Sequence, residues 1–214
     1  IDQTLTGGAV AAGDHSAALV LQSVGAGGGV VTLSGQAFPH ITLGASGGAQ
    51  GDGGDISLAN SGTIGSLGAG GYGVILQSIG GGGGAVFGDF NEAWLTLASD
   101  NSGDGGTIVF NQIGDIAVLG DSSIGVLAQS LGGGGGFVDG VFAGTAGGEG
   151  AGGAVTLDID GSVMAWGVDS TAVLAQSLGS LGGGDIRLFA NGDIRGGSGT
   201  GLGVSFEGGA DNFI

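Results

Sequence analysis

The chain has 214 residues, of which 58 are glycine, one is proline and none is cysteine. Its 19 acidic residues against two arginines give a formal net charge of −17, and 41% of its residues are hydrophobic. This composition excludes collagen and a fold held by disulfide bonds. It argues against nucleic-acid binding, because binding needs cationic side chains that neutralise phosphates. The hydrophobic content is also too high for a disordered glycine-rich linker.

Apolar runs are short throughout the chain and are interrupted by glycine and polar residues. A membrane-spanning helix needs about 20 consecutive apolar residues, so we expect no membrane insertion of this segment. The chain begins Ile1-Asp2-Gln3 without the basic and apolar regions of a signal peptide. We therefore expect a segment excised from a longer fibre.

One hexapeptide recurs four times, and each copy is followed by glycine. The copies occupy residues 19–24 (LVLQSV), 74–79 (VILQSI), 126–131 (VLAQSL) and 173–178 (VLAQSL). Internal repetition on this length scale indicates a solenoid or an array of structural repeats.

Two further apolar positions precede most copies at fixed distances. A first strand starts 18 residues, and a second 10 residues, before the hexapeptide; the same spacing recurs once more near the C-terminus. The three starts are Ile56, Ile64 and Val74; Ile108, Ile116 and Val126; Val155, Val163 and Val173; and Ile186, Ile194 and Val204. Short β-branched runs bounded by Gly, Asn, Asp and Ser are typical of strands between turns, while the glycine content disfavours helix.

The pattern predicts an all-β fold, a parallel β-helix (β-solenoid) over residues 1–214 as a single domain. The minimal turn is about 31 residues, the step from Gln176 to Glu207, and longer repeats carry insertions near residues 30–50, 85–105 and 137–150. Stacked turns bury one another's apolar faces. Because the insertions also contain strand-like sequence, two turns in each long repeat remain an alternative.

The glutamine of each hexapeptide is predicted to stack in one row: Gln22, Gln77, Gln129 and Gln176. A primary amide both donates and accepts, so stacked glutamines hydrogen-bond along the axis and set the strand register. Glu207 takes the glutamine position in the last unit. Because a carboxylate cannot donate, we expect the row to end there. The alternation leaves open which face of this strand is buried.

The repeat resembles the passenger region of Gram-negative autotransporter proteins. The resemblance is carried by Ala-Gln-Ser-Leu followed by a glycine run, clearest at residues 125–136, and by the Gly-Gly-X-Ile/Val-X-Leu sequence after it. It implies a right-handed parallel β-helix, export through an outer-membrane barrel that lies outside this segment, and an extracellular position at the bacterial cell surface. The absence of cysteine agrees with such passengers.

No residue combination predicts catalysis. Asp14, His15 and Ser16 are adjacent and point to alternate sides of an extended chain, so they cannot form a triad; His15 and His40 are interpreted as turn or surface residues. Asp158 and Asp160 share one strand face, where paired carboxylates could act on a sugar, but we interpret them as a solvated acidic face.

We predict neither a cofactor nor a specific metal site. Calcium is kept as an alternative because the acidic turns at residues 51–55 and 100–104 offer oxygen ligands. We interpret most acidic residues as turn residues whose Asp side chains bond to the turn backbone. Diffuse cations are expected to screen the net charge of −17.

The predicted function is a structural and adhesive one: a rigid stalk that presents binding loops to a host or neighbouring-cell surface protein or glycan. The candidate contact residues are Phe87, Phe90 and Trp94, with a small satellite core on the solenoid flank as their alternative role. A β-helical polysaccharide-acting enzyme and a self-association module for cell aggregation are the alternative functions.

Overall fold

The structure is a computed structural model, and it describes residues 1–33, 40–45, 47–88, 94–139 and 141–214. The described residues contain no α-helix and are built from short strands. In chain order the strands are β1 (Asp2–Thr6), β2 (Ala9–Ala11), β3 (Ala17–Val24), β4 (Gly28–Thr32), β5 (Ile41–Leu43), β6 (Ile56–Ser61), β7 (Ile64–Ser66), β8 (Tyr72–Ile79), β9 (Gly83–Phe87), β10 (Leu95–Leu97) and β11 (Ile108–Ile113). The chain continues with β12 (Ile116–Val118), β13 (Ile124–Leu131), β14 (Gly135–Val138), β15 (Phe142–Thr145), β16 (Val155–Asp160), β17 (Val163–Ala165), β18 (Thr171–Leu178), β19 (Ile186–Ala190), β20 (Ile194–Arg195), β21 (Val204–Gly208) and β22 (Asn212–Phe213).

The strands stack by their place in the repeat into three parallel sheets. Sheet A has the order β1-β6-β11-β16-β19-β22, sheet B the order β2-β7-β12-β17-β20, and sheet C the order β3-β8-β13-β18-β21. The predicted 8-then-10 spacing is therefore confirmed as one strand in each of three sheets. Successive hexapeptides pair directly, since Gln77 lies opposite Gln22 on one side and Gln129 on the other. Each repeat thus contributes one strand to sheet C, as the interpretation of one turn in each repeat predicts.

Sheets A, B and C share one apolar core. Their inward side chains form a single buried cluster, with fully buried Phe110 from sheet A, Ile116 from sheet B and Val126 from sheet C. Neither a single turn nor a single sheet could enclose these side chains. The core therefore requires several repeats in the same register.

The glycine pairs that precede sheet A are required by close backbone packing. A Cβ on Gly105 would lie 2.5 Å from the Ser130 Oγ atom, and one on Gly106 would lie 2.6 Å from the carbonyl carbon of Gly54. The Ser130 hydroxyl accepts from the Gly153 N–H at 2.7 Å and donates to the Gly106 carbonyl at 2.8 Å. Hexapeptide serines thus tie the glycine pairs of neighbouring repeats together.

The predicted insertions form a second layer beside sheet C. Strands β4, β9 and β14 pair in parallel as sheet D, and β15 closes that sheet in the antiparallel direction against β14. A further pair, β5 and β10, lies beyond it. Buried Leu127 and Phe137 belong to the cluster between sheets C and D, and Leu43 belongs to the next. The insertions are therefore an ordered flank that follows the same stacking register, at least over the residues that the structure describes.

Candidate functional site

The glutamines singled out from the sequence lie in one hydrogen-bonded row. The Gln22 side-chain amide donates to the Gln77 oxygen at 2.8 Å, and Gln77 donates to Gln129 at 2.5 Å. Gln129 in turn donates to Gln176, and Gln176 donates to a carboxylate oxygen of Glu207. Every bond in this row runs in the same direction along the stack.

Glu207 explains the direction of the row. A carboxylate can only accept, so the amide before it must offer its N–H₂ group, and each earlier amide follows the same orientation. Glu207 therefore fits the acceptor-only position that it takes beside Gln176. The end of the row at Glu207 stays a prediction, and the structure adds that the carboxylate accepts a bond from Gln176.

The row lies on the face of sheet C that is turned toward sheet D, away from the main core. Gln77, Gln129 and Gln176 are fully buried there, because the second layer covers them. Gln129 also donates to the Gly136 carbonyl at 3.4 Å, and Gln176 donates to the Ala143 carbonyl at 3.3 Å. The question left open by the sequence is thus answered for the inner repeats: both faces of β8 and β13 are buried, whereas β3 of the first repeat is partly exposed.

The three candidate contact residues do not form one exposed loop. Phe87 is the last residue of β9 and is only 4% exposed, packed with Tyr72 at 5.6 Å and Phe137 at 6.2 Å between ring centroids. Phe90 lies outside the described residues. Trp94 is 36% exposed and contacts the His40 ring edge-on at 4.3 Å. For Phe87 the contact role is wrong, and the satellite core on the flank describes its position.

A polar cluster that sequence reasoning missed lies between the first repeat and the second layer. The buried carboxylate of Asp139, which directly follows β14, contacts the His15 Nδ1 atom at 2.5 Å and accepts from the Tyr72 hydroxyl. The Gly88 N–H lies 3.4 Å from the same carboxylate. Burial, together with the adjacent Asp139 charge and hydrogen bond, raises the pKa of Tyr72 far above its usual value.

This cluster joins His15 of the first repeat to Tyr72 and to Asp139 of the second layer. The Ser16 hydroxyl donates to the Gly13 carbonyl, so His15 and Ser16 have separate partners. His15 and Asp139 are 124 residues apart in sequence, and no local spacing pattern signals such a pair. The interpretation of His15 as a simple turn residue was incomplete, although it does lie in a turn with a φ of 52°.

The acidic turns use their carboxylates to join neighbouring repeats. Asp52 accepts from the Asp104 N–H at 2.9 Å, Asp104 accepts from the Ala151 N–H at 2.8 Å, and Asp55 accepts from the Thr107 N–H at 2.7 Å. The sequence predicted Asp bonds to turn backbone; the partners belong to the next repeat. Within the described ranges, no group of three or more His, Cys, Asp or Glu side chains is arranged to hold a metal ion.

Asp158 and Asp160 lie on the outward face of β16, as their alternation predicts. Across the sheet Asp158 is opposite Asn111 on one side and Phe189 on the other, and Asp160 accepts from the Asn191 side chain at 3.1 Å. The neighbouring strands therefore place amide and apolar side chains beside this pair.

Two open grooves accompany the second layer. One, of about 450 Å³, passes along Asp52, Asp104 and Glu149, and another, of about 300 Å³, lies between β15 and the outer face of sheet C beside Phe142 and Leu174.

Among the described residues, no helix is long and apolar enough to span a bilayer.

In comparisons with known proteins, the chain matches no protein-family profile, no curated protein and no solved structure. The resemblance to autotransporter passengers thus rests on the repeat pattern in the sequence.

Proposed function

We propose that this chain is a segment of a right-handed parallel β-helix, with a minimal turn of about 31 residues and lateral insertions, and that its role is structural and adhesive. It is a stiff stalk in a secreted or surface-displayed bacterial passenger protein, anchored through an outer-membrane barrel outside the segment. It holds binding surfaces away from the membrane, toward a protein or glycan on a host or neighbouring cell.

The observation that carries the proposal is the register of equivalent strands. Gln77, Gln129 and Gln176 are 52 and 47 residues apart in sequence but directly opposite one another in sheet C. Each repeat therefore extends the stack by one strand spacing, about 4.8 Å. Length then depends on the number of repeats, and stiffness comes from ladder bonds, the glutamine row and the Asp links between turns.

Deletion of one complete repeat tests this architecture. Removing residues 78–129 joins Gln77 to Ser130, two positions that follow one another in the same register. We expect a folded β protein whose scattering profile is shorter along the stack by about one strand spacing. A control that removes only residues 78–103 should fail to fold, because it cuts β8 short at Gln77 and joins it directly to Asp104 in the segment before β11. Equal behaviour of the two deletions would contradict the one-turn repeat.

Surface display tests the adhesive role. The chain is fused to an outer-membrane anchor on a non-adherent bacterium, with the anchor alone as the control, and its display is measured with an epitope tag. We expect increased attachment to host cells or to a second labelled bacterial population. Attachment equal to that of the anchor alone, at equal display, would contradict the proposed adhesive function.

A polysaccharide-acting enzyme receives no comparable support. Catalysis on a glycan uses two carboxylates at a separation of about 5–10 Å on either side of the scissile bond. Asp158 and Asp160 share one strand and face amide and apolar neighbours on the adjoining strands. The absence of catalysis remains a prediction, which an assay of glycan cleavage by the purified chain would test.

A further inference from the structure

The outer face of sheet B carries an exposed apolar residue in each of four successive repeats, which together we define as the apolar stripe: Val10, Leu67, Leu119 and Trp166. These side chains are 65%, 52%, 50% and 51% exposed, respectively. Leu67, Leu119 and Trp166 follow β7, β12 and β17 directly and are equivalent positions in successive repeats, whereas Val10 lies opposite Gly65, two positions before Leu67. Exposed apolar patches bordered by polar residues are typical of interaction sites.

Small or apolar residues lie two positions before Leu67, Leu119 and Trp166, in the same row as Val10. Gly65, Ala117 and Met164 occupy the outward positions of β7, β12 and β17, and all are partly buried. The stripe crosses four strands, a distance of about 14 Å at the usual strand spacing. A helix of about ten residues spans the same distance.

Acidic residues border the stripe on both sides. Asp115 and Asp193 precede the strands of sheet B, while Asp14 and Asp121 lie in the turns that follow it, and all four are exposed. Their main-chain bonds hold them in place: Asp115 accepts from the Ser162 N–H and Asp121 from the Val168 N–H, both at 2.8 Å. The face therefore has an apolar centre and two negatively charged margins.

Basic side chains are nearly absent from the chain. Arg187 pairs with Asp185 at 2.6 Å, and Arg195 lies at one end of the stripe with its guanidinium carbon 5.1 Å from the Trp166 ring centroid. A second copy of the chain, with the same net charge of −17, would bring acidic margin against acidic margin. The charge pattern fits instead a partner whose apolar residues are flanked by Lys or Arg.

We propose that this face of sheet B is a docking surface for a cationic amphipathic helical segment of a partner protein. The helix lies along the stack with its apolar residues on the stripe and its basic residues beside the acidic margins. Apolar positions one turn apart in a helix are about 5.4 Å apart, close to the 4.8 Å step between repeats. The proposal deepens the proposed function by assigning the stalk a contact face.

A fluorescence titration with designed peptides tests the proposal. The chain has two tryptophans, so the Trp94→Phe variant leaves Trp166 as the only tryptophan reporter. The probe is a tryptophan-free peptide of about 14 residues with a leucine stripe flanked by lysines. Matched peptides carry glutamate in place of lysine, or serine in place of leucine. We expect a blue shift of Trp166 emission with the lysine–leucine peptide, binding at least tenfold weaker for both controls, and weaker binding at high salt.

Two leucine variants distinguish the stripe from general attraction to an acidic protein. Leu119→Asn lies in the stripe, whereas Leu181→Asn changes a leucine that is 66% exposed beside the acidic groove. We expect Leu119→Asn to weaken binding at least tenfold and Leu181→Asn to leave it unchanged. Equal effects of the two variants, an unchanged Trp166 spectrum, or equal binding of the serine-containing peptide would overturn the proposal.

Sedimentation of the chain alone tests the other occupant. Concentration-dependent dimerisation that Leu119→Asn abolishes would assign the face to a second copy and overturn the proposed partner. These outcomes are independent of the stalk: failure of the repeat deletion contradicts the architecture, whereas an unresponsive Trp166 contradicts only the docking surface.

Discussion

Replacing Gln129 by leucine removes the central member of the glutamine row. Gln129 accepts from Gln77 and donates to Gln176, and all three side chains are fully buried. The Gln129→Leu variant leaves one buried donor and one buried acceptor without partners. Each unpaired group costs about 1–3 kcal/mol, so we expect the free energy of unfolding to fall by about 2–6 kcal/mol. That is a large part of the 5–15 kcal/mol typical of a folded domain.

Urea denaturation followed by far-ultraviolet circular dichroism measures this loss. With a slope of about 1–3 kcal/mol/M, the midpoint should move to lower urea by about 1 M or more. Gln22→Leu is the matched control, because Gln22 is half-buried and makes a single ladder bond at the start of the row; we expect a loss of about 1 kcal/mol. A Gln129→Leu loss below about 1 kcal/mol, or equal to that of the control, would refute the reasoning.

Three other changes test separate contacts. Tyr72 is the only tyrosine, and because its pKa is raised, the unfolded chain releases the phenol proton near pH 10 while the folded chain retains it. The free energy of unfolding should therefore fall above about pH 10, and it should fall less in the Tyr72→Phe variant. A phenolate absorbance at 295 nm that appears before unfolding would contradict this prediction. Asp139→Ala removes the acceptor of the buried Tyr72 hydroxyl and should lower the free energy of unfolding by about 2 kcal/mol. Amide hydrogen exchange in β14 should become faster, and unchanged exchange there would contradict the contact between the layers. Gly106→Ala places a Cβ 2.6 Å from the Gly54 backbone and should lower the free energy of unfolding, measured by thermal denaturation, by about 1–3 kcal/mol. Gly13→Ala is the control and should have little effect, because its Cβ contacts only the Ser16 hydroxyl at 3.7 Å. Equal losses of stability in the two variants would contradict the packing argument.

The stack itself could be predicted because its signals are local and repeated. A strand start such as Ile108 recurs at the same distance before each hexapeptide, and the paired amides of Gln77 and Gln129 reinforce the same register. Periodic spacing specifies which residues share a sheet, since parallel turns must align equivalent positions. The acceptor-only role of Glu207 could likewise be predicted from its chemistry alone.

The flank could not be predicted in the same way because its contacts join residues distant in sequence. For Phe87 the sequence left open an exposed contact or a satellite core, and sheet D, which covers it, decides for the core. The partner of His15 could not be predicted because Asp139 lies 124 residues away in the sequence. The sheet B stripe also depends on the fold, since alternation predicts an outward Leu119 but does not say whether another layer covers it.

The sequence by itself determined the strands of sheets A, B and C, their register and the row of amides, because backbone pairing between equivalent positions of successive repeats follows directly from periodicity. Only the tertiary structure decided which faces of those strands were buried. An insertion that folds back over sheet C turns an outward glutamine such as Gln129 into a buried one, whereas sheet B has no described layer over it and Trp166 remains half exposed. Burial depends on where the variable segments pack. Their packing is determined by the shapes of side chains from different repeats, and a local sequence pattern does not contain that information.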